Sequence, residues 1–196
     1  IENIEDFNYM LFKQEDKYGV IDKSGKILVN ADYSSIIIPN PEKAVFIAEQ
    51  EGNVKVLNDR NEQILAEYSE ITPIRLKNVA SSLMYEKSVL VYTEDGKKGL
   101  IDLEGNKIIE PAYETIDSIS YKEGELIVKR EGKFGIINIR GNELVKAKYD
   151  QISVDGFFTD EEGYKYAGYI VSEKTNEGYR YGYVDVNGKL LMKMEY

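Results

Sequence analysis

Short apolar runs rich in Val, Ile and Tyr recur along this chain, separated by turns of Gly, Asn and acidic residues. Such runs read as strands, because branched and aromatic side chains suit a pleated surface. The pattern predicts five groups of three. First strands fall at 9–14, 45–50, 89–93, 126–130 and 169–173. Second strands fall at 18–21, 54–57, 98–101, 134–137 and 181–184, and third strands at 26–29, 63–65, 107–109, 143–145 and 189–191. Positions 89–92 and 126–128 are apolar throughout, which suits strands covered on both faces. No run approaches the ~20 residues of a membrane-spanning helix. The expected class is all-β, with five tandem three-to-four-stranded meanders packed one on the next.

The five groups copy one frame. Lys17-Tyr18-Gly19-Val20-Ile21-Asp22-Lys23-Ser24-Gly25 returns at 97–105, 133–141 and 180–188. Its first glycine is Gly19, Gly99, Gly135 and Gly182, its Asx residue Asp22, Asp102, Asn138 and Asp185, and its second glycine Gly25, Gly105, Gly141 and Gly188. A degenerate copy at 54–61 keeps Asn58 and lacks both glycines. Each copy is followed by a Tyr, at Tyr33, Tyr68, Tyr113, Tyr149 and Tyr196, and the first four of these by an Ile, at Ile36, Ile71, Ile116 and Ile152. The repeats span 9–36, 44–71, 89–116, 126–152 and 169–196 in one domain over 1–196. Repetition in register is the strongest signal in the chain. Asx with Gly three residues later marks a turn, the side chain capping the backbone and Gly taking a positive φ. The Tyr…Ile segment is expected to add a short fourth strand to its unit. Ile4 stands where a trailing Ile would, and Tyr196 where a repeat Tyr would. That arrangement suits a closed, propeller-like ring and an open superhelical array equally.

Composition narrows the chemistry. The 196 residues carry 25 Lys and Arg against 35 Asp and Glu, a net charge of −10, with no His, Cys or Trp. A chain of this length buries roughly 70% of its unfolded surface, so it needs no disulfide or metal to fold. Without Cys or His there is no thiolate nucleophile, imidazole base or Cys/His zinc site. The acidic excess argues against nucleic acid and against an anionic membrane surface. No phosphate loop, dinucleotide fingerprint or nucleophile elbow is present. No catalytic residue, cofactor or metal is expected, and no direct membrane insertion.

Two connections, 72–88 and 153–168, depart from the frame. Insertions at a fixed repeat position tend to share one face, often the binding face. Phe157, Phe158, Tyr164 and Tyr166 surround the acidic run 160–162, and Tyr85 ends an apolar stretch in the other connection. These five aromatics are candidate partner-binding residues, because aromatics interleaved with acids suit a cationic or peptide partner, or a saccharide. The competing reading buries Phe157 and Phe158 in a hairpin and makes the first connection a short helix or covering strand. The frame aromatics Tyr18, Phe134 and Tyr181 are expected in the core between units. The recurrent tyrosines are expected to pack with a hydroxyl bonded to backbone. Asp22, Asp102 and Asp185 read as turn caps rather than a cation array, since Asn58 and Asn138 keep the cap without the charge. A glycosidase-like carboxylate pair would be sought only at Asp155, Glu161 and Glu162.

The Lys-aromatic-Gly-x-Ile-Asp-x-x-Gly-Lys frame, with a following Pro-x-Tyr as in Pro111-Ala112-Tyr113, resembles the WG (KWG) repeat family from about 9 to 196. The Trp that names the family is replaced here by Tyr18, Lys98, Phe134 and Tyr181. The resemblance implies a bacterial, β-rich tandem-repeat protein with an exported, cell-envelope or extracellular setting, and no catalytic residues to carry over. The expected function is non-enzymatic binding of a protein, peptide or polysaccharide partner through a loop-bearing face. The alternatives are a structural spacer of a larger exported protein and a carboxylate-based glycoside hydrolase.

Overall fold

The computed structural model of the chain describes residues 7–76, 84–119, 122–154, 157–159, 161–163 and 165–195, and among these there is no helix. The first sheet contains β1 (Tyr9–Gln14), β2 (Lys17–Asp22) and β3 (Ile27–Tyr33). The second contains β4 (Ser35–Ile37), β5 (Phe46–Gln50), β6 (Asn53–Leu57) and β7 (Gln63–Ile64). The third contains β8 (Ser69–Arg75), β9 (Tyr85–Glu94), β10 (Lys97–Asp102) and β11 (Lys107–Tyr113). The fourth contains β12 (Thr115–Ile119), β13 (Lys122–Arg130), β14 (Lys133–Asn138) and β15 (Glu143–Tyr149). The fifth contains β16 (Gln151–Ser153), β17 (Phe157–Thr159), β18 (Lys165–Thr175), β19 (Gly178–Asp185) and β20 (Leu190–Met192). All pairings are antiparallel, and the five meander units of the sequence pattern are all present.

The short strand after each recurrent Tyr does not complete its own unit. β4 pairs with β5, β8 with β9, β12 with β13 and β16 with β18, so each trailing segment opens the following sheet. Sequence repeat and sheet are thus offset by one strand, and every sheet after the first is fastened by the repeat before it. The connection after Thr72 is strand at both ends, running in β8 to Arg75 and resuming in β9 at Tyr85. Residues 77–83 and Ile4 lie outside the described residues.

Apolar side chains meet between consecutive sheets. Val20, Val29, Phe46 and Leu57 join the first sheet to the second, and Val56, Ile71, Leu90 and Tyr92 the second to the third. Leu100, Ile116, Leu126 and Val128 join the third to the fourth, and Ile136, Val145, Tyr169 and Val184 the fourth to the fifth. Each such fully buried side chain contributes about 1.5–3 kcal/mol. Among the described residues no core cluster joins the first sheet to the fifth. The packing is that of a stack in which each unit meets its neighbours.

The turns follow one geometry in all five units. The Oδ1 atom of Asp22 accepts the amides of Ser24 and Lys26, and Asn58 does the same for Arg60 and Glu62. Asp102, Asn138 and Asp185 repeat the pair of bonds with residues two and four positions on. The residue three positions after the Asx lies in the left-handed region, from Gly105 at φ 89° to Asn61 at φ 59°.

The first glycine of the frame has a different task. At Gly99 a Cβ would stand 2.5 Å from the carbonyl oxygen of Ile109, and at Gly135 2.6 Å from that of Val145. In each case the third strand bulges: Lys98 pairs with Tyr113 while Leu100 pairs with Ile109. Glycine is what lets the bulged backbone press in. The degenerate unit carries Lys55 at this position, and its third strand is only Gln63–Ile64.

Candidate binding groove

The side chain that precedes the frame's first glycine, or its equivalent Val54 in the degenerate unit, is at least partly exposed in every unit. Tyr18, Lys98 and Phe134 are partly exposed, Tyr181 is 41% exposed, and Val54 in the degenerate unit 54%. The expectation that these aromatics lie in the core between units is met in part by Tyr18, which packs partly buried against the cluster between the first and second sheets, and is corrected for Tyr181, which is exposed. Their strand neighbours one and two positions on, Gly19 and Val20 in the first unit, take the buried places. Lys13 Nζ lies 5.7 Å from the Tyr18 ring centroid and Lys129 Nζ 5.4 Å from that of Phe134, so these rings face cationic tips at the surface.

Between the fourth and fifth sheets two of these rings border one groove of about 350 Å³. Phe134 on β14 of the fourth sheet and Tyr181 on β19 of the fifth both line it. Its aliphatic lining is Ile127 from β13, Ile152 from β16, and Ile170 and Val171 from β18. Gln151, Ser153 and Ser172 supply the polar groups. The strand offset builds this arrangement. β16 belongs to the fourth repeat in sequence and to the fifth sheet in space, so Gln151, Ile152 and Ser153 lie opposite Ser172, Val171 and Ile170. Tyr181 in turn lies opposite Ser172.

Asp150 fixes the two sheets to each other beside the groove. Its Oδ1 accepts Lys133 Nζ of the fourth sheet at 2.7 Å, and its Oδ2 accepts the Lys174 amide of the fifth at 2.8 Å. The Lys133 bond, then the Lys174 amide, hold its carboxyl below the usual aspartate range.

A second groove, of about 310 Å³, occupies the matching place between the third and fourth sheets. There the frame position is Lys98 and the wall includes Arg75 and Asp117, so it is polar where the first is aromatic. Among the described residues no three Asp or Glu gather as metal ligands.

Four of the five candidate aromatics of the long connections, Tyr85, Phe157, Phe158 and Tyr166, lie in strands. Tyr85 is buried, 6% exposed, with the Arg75 guanidinium 5.9 Å over its ring, so it is not available as a surface contact. Phe157 and Phe158 lie in β17, opposite Ala167 and Tyr166 of β18, an added hairpin on the fifth sheet. Tyr164 lies outside the described residues, as do Asp155 and Tyr196. Glu161 and Glu162 are exposed in a turn. Of the recurrent tyrosines, Tyr113 and Tyr149 are buried, Tyr33 and Tyr68 partly so. The Tyr68 hydroxyl donates to the Gly105 carbonyl at 2.7 Å.

Sequence reasoning missed Ile127, Gln151, Ser153, Ile170 and Ser172. The available signal was periodic: Phe134 and Tyr181 hold one frame position, and Ile152 is a trailing Ile. That one sheet interface brings them together depends on the strand offset, which no local pattern records.

The repeat frame and the stacked meanders have a counterpart among known families. The family described as WG containing repeat matches residues 18–52, 99–134 and 134–167, together just over half of the chain. This chain belongs to the WG repeat family. The matched segments start at Tyr18, Gly99 and Phe134, at or beside the frame position that borders the grooves. No curated protein matches the sequence. Among solved structures, the dihydro-heme d1 dehydrogenase NirN in complex with DHE is 14% identical, with 95% of this WG repeat chain and 44% of that chain covered at a TM-score of 0.36. The crystal structure of HIRA(644-1017) is 10% identical, with 94% and 52% covered at a TM-score of 0.30. The chain thus spans about half the length of each.

Proposed function

We propose that this WG repeat chain is a non-catalytic binding module that holds an extended peptide segment of a partner protein in the groove between its fourth and fifth sheets. The observation that carries this reading is that Phe134 and Tyr181, from two sheets, line one groove together with Ile127, Ile152 and Ile170. Rigid aromatics beside aliphatic side chains suit an apolar anchor of a peptide, and the adjoining Gln151, Ser153 and Ser172 suit its backbone amides. A saccharide would call for more amide and carboxylate partners than this groove offers. β16 ends at Ser153, where the longest connection of the fifth unit leaves. This reading sets the groove beside the connection that the repeat spacing offered as a binding face.

The test is selection of displayed random peptides on the immobilised chain, followed by titration of the selected peptides against Phe134→Ala, Tyr181→Ala and the double variant. The expected result is a loss of tenfold or more for each single variant. Peptides that bind the double variant as tightly as the parent chain would overturn the groove as the site.

A further inference from the structure

We propose that Lys98 reads a carboxylate of the bound peptide segment, a Glu or Asp side chain about three residues from the apolar one seated beside Phe134 and Tyr181. This rests on the groove reading given above and adds to it the chemistry of the partner. The frame position before the first glycine brings one side chain per unit to the surface, in the order Tyr18, Val54, Lys98, Phe134 and Tyr181. Four are aromatic or aliphatic, and Lys98 is the one charge. Lys98 lines the groove of about 310 Å³ between the third and fourth sheets, as Phe134 lines the groove at the next junction. Stacked sheets pack about 10 Å apart, and an extended chain advances about 3.3 Å per residue. A segment laid across both junctions therefore meets Lys98 about three residues from its anchor in the Phe134 groove.

The charge at Lys98 is not matched within the chain. Lys98 forms no ion pair with a described residue. The residues opposite it in the sheet are Thr93 and Tyr113, both uncharged. At two aromatic frame positions the cation sits on the preceding strand and has its own acid. Lys13, over Tyr18, pairs with Asp16 at 2.7 Å, and Lys129, over Phe134, with Glu114 at 3.9 Å. In the third unit the nearby Glu94 and Glu110 both pair with Lys107. Arg75, on the same groove lining, stands over the Tyr85 ring and likewise forms no ion pair with a described residue. Thr72 and Thr115 also line the groove, and Asp117 is its one carboxylate against these two cations. The groove thus reverses the sign of a chain whose net charge is −10. Such a local reversal selects partners of opposite charge more than it adds raw affinity. A partner carboxylate is the complement.

Selection of displayed random peptides, run in parallel on the full parent chain and on Lys98→Glu, tests this. Peptides from the parent are expected to carry Glu or Asp about three residues from an apolar anchor, and those from Lys98→Glu to carry Lys or Arg there. A parent-selected peptide is expected to bind Lys98→Glu about tenfold more weakly, and to recover when its acid is exchanged for Lys. Lys98→Gln, which removes the charge and keeps a long side chain, is expected to lose about threefold and to flatten the dependence on salt. Circular dichroism matching the parent's establishes that each variant is folded. Parent-selected peptides with no acid at that spacing overturn the assignment of Lys98. So does a peptide that binds Lys98→Glu as tightly as the parent chain while Phe134→Ala weakens it, and in both cases the groove reading stands. Peptides that respond to Lys98→Glu but not to the double variant Phe134→Ala, Tyr181→Ala overturn the groove reading itself, and the spacing with it.

Discussion

A side chain at Gly188 would meet the backbone of Leu144, its Cβ 2.5 Å from that carbonyl oxygen. At this glycine the turn of the fifth sheet meets the backbone of the third strand of the fourth. At Gly25, in the same conformation, an added Cβ would meet no atom of the described residues within 4 Å. The two glycines therefore separate conformational strain from packing. Gly25→Ala is expected to cost only the left-handed strain, about 1–2 kcal/mol. Gly188→Ala adds an overpacking cost of about 1–3 kcal/mol. Urea unfolding in dilute solution measures both, and equal losses would show that the Leu144 contact carries no weight.

The frame's first glycine is expected to be intolerant for a steric reason. Gly99→Ala places a methyl group against the Ile109 carbonyl and the Tyr92 ring, and Gly135→Ala against Val145 and Ala147. Each is expected to cost about 1–3 kcal/mol by forcing the bulged third strand away. Lys55→Ala, at the same position of the unit with the short third strand, is expected to change stability by less than about 0.5 kcal/mol. Denaturation midpoints of the three variants decide the point.

At the Asx position the oxygen matters and the charge does not. Asp102→Asn is expected to be close to neutral at pH 7, since Asn138 makes the same two bonds. Asp102→Ala is expected to cost about 1 kcal/mol by removing both acceptors. The Asp102 carboxyl titrates below the usual range. Desolvation opposes that shift, and the bonds from Asn106 and Glu104 outweigh it. A depressed folded-state value stabilises above the ordinary aspartate range, and the gain is lost as pH falls through the folded value. The parent's acid-side loss of stability is thus expected to be shallower in Asp102→Asn, as melting curves from pH 7 to pH 3 would report.

Glu86 behaves in the opposite sense. It is 2% exposed, and its Oε1 accepts the Gly124 amide at 2.6 Å. Burial pushes its carboxyl above the usual range, the Gly124 bond opposes this, and Glu123 adds to it. The folded chain therefore holds this proton more tightly than the unfolded chain, and stability falls as pH rises from the ordinary Glu range through the folded value. Glu86→Gln keeps an oxygen for Gly124 and removes the charge. It is expected to be more stable than the parent at pH 8, with the gain shrinking toward pH 4. A gap that does not change between those pH values would contradict this account.

Much of the architecture is legible in local pattern, and the reason is physical. An Asx side chain reaches its own turn backbone, so Asp22 and Asn58 announce their turns without help from distant residues. Val and Ile in short runs between such turns form strands for equally local reasons. The groove was not legible. Phe134 and Tyr181 are conspicuous as frame residues, and the sequence pattern alone suggests that they are buried. Which face of a stacked sheet is covered depends on the neighbouring sheet. The aromatics of the long connections are conspicuous too, yet Tyr85 is buried against Arg75 while the groove formed elsewhere.

The sequence by itself determined the repeat, its five turns, its strands and the all-β class, because each of these is decided within a few residues along the chain. Tertiary structure decided which sheet each trailing strand joins, why the frame needs its first glycine, and which frame side chains face solvent. Those depend on atoms from different repeats meeting: Ile152 entering the fifth sheet beside Val171, and the Ile109 carbonyl pressing on Gly99. Strand pairing and close backbone approach join residues far apart in the chain, and a pattern of period two carries no record of them.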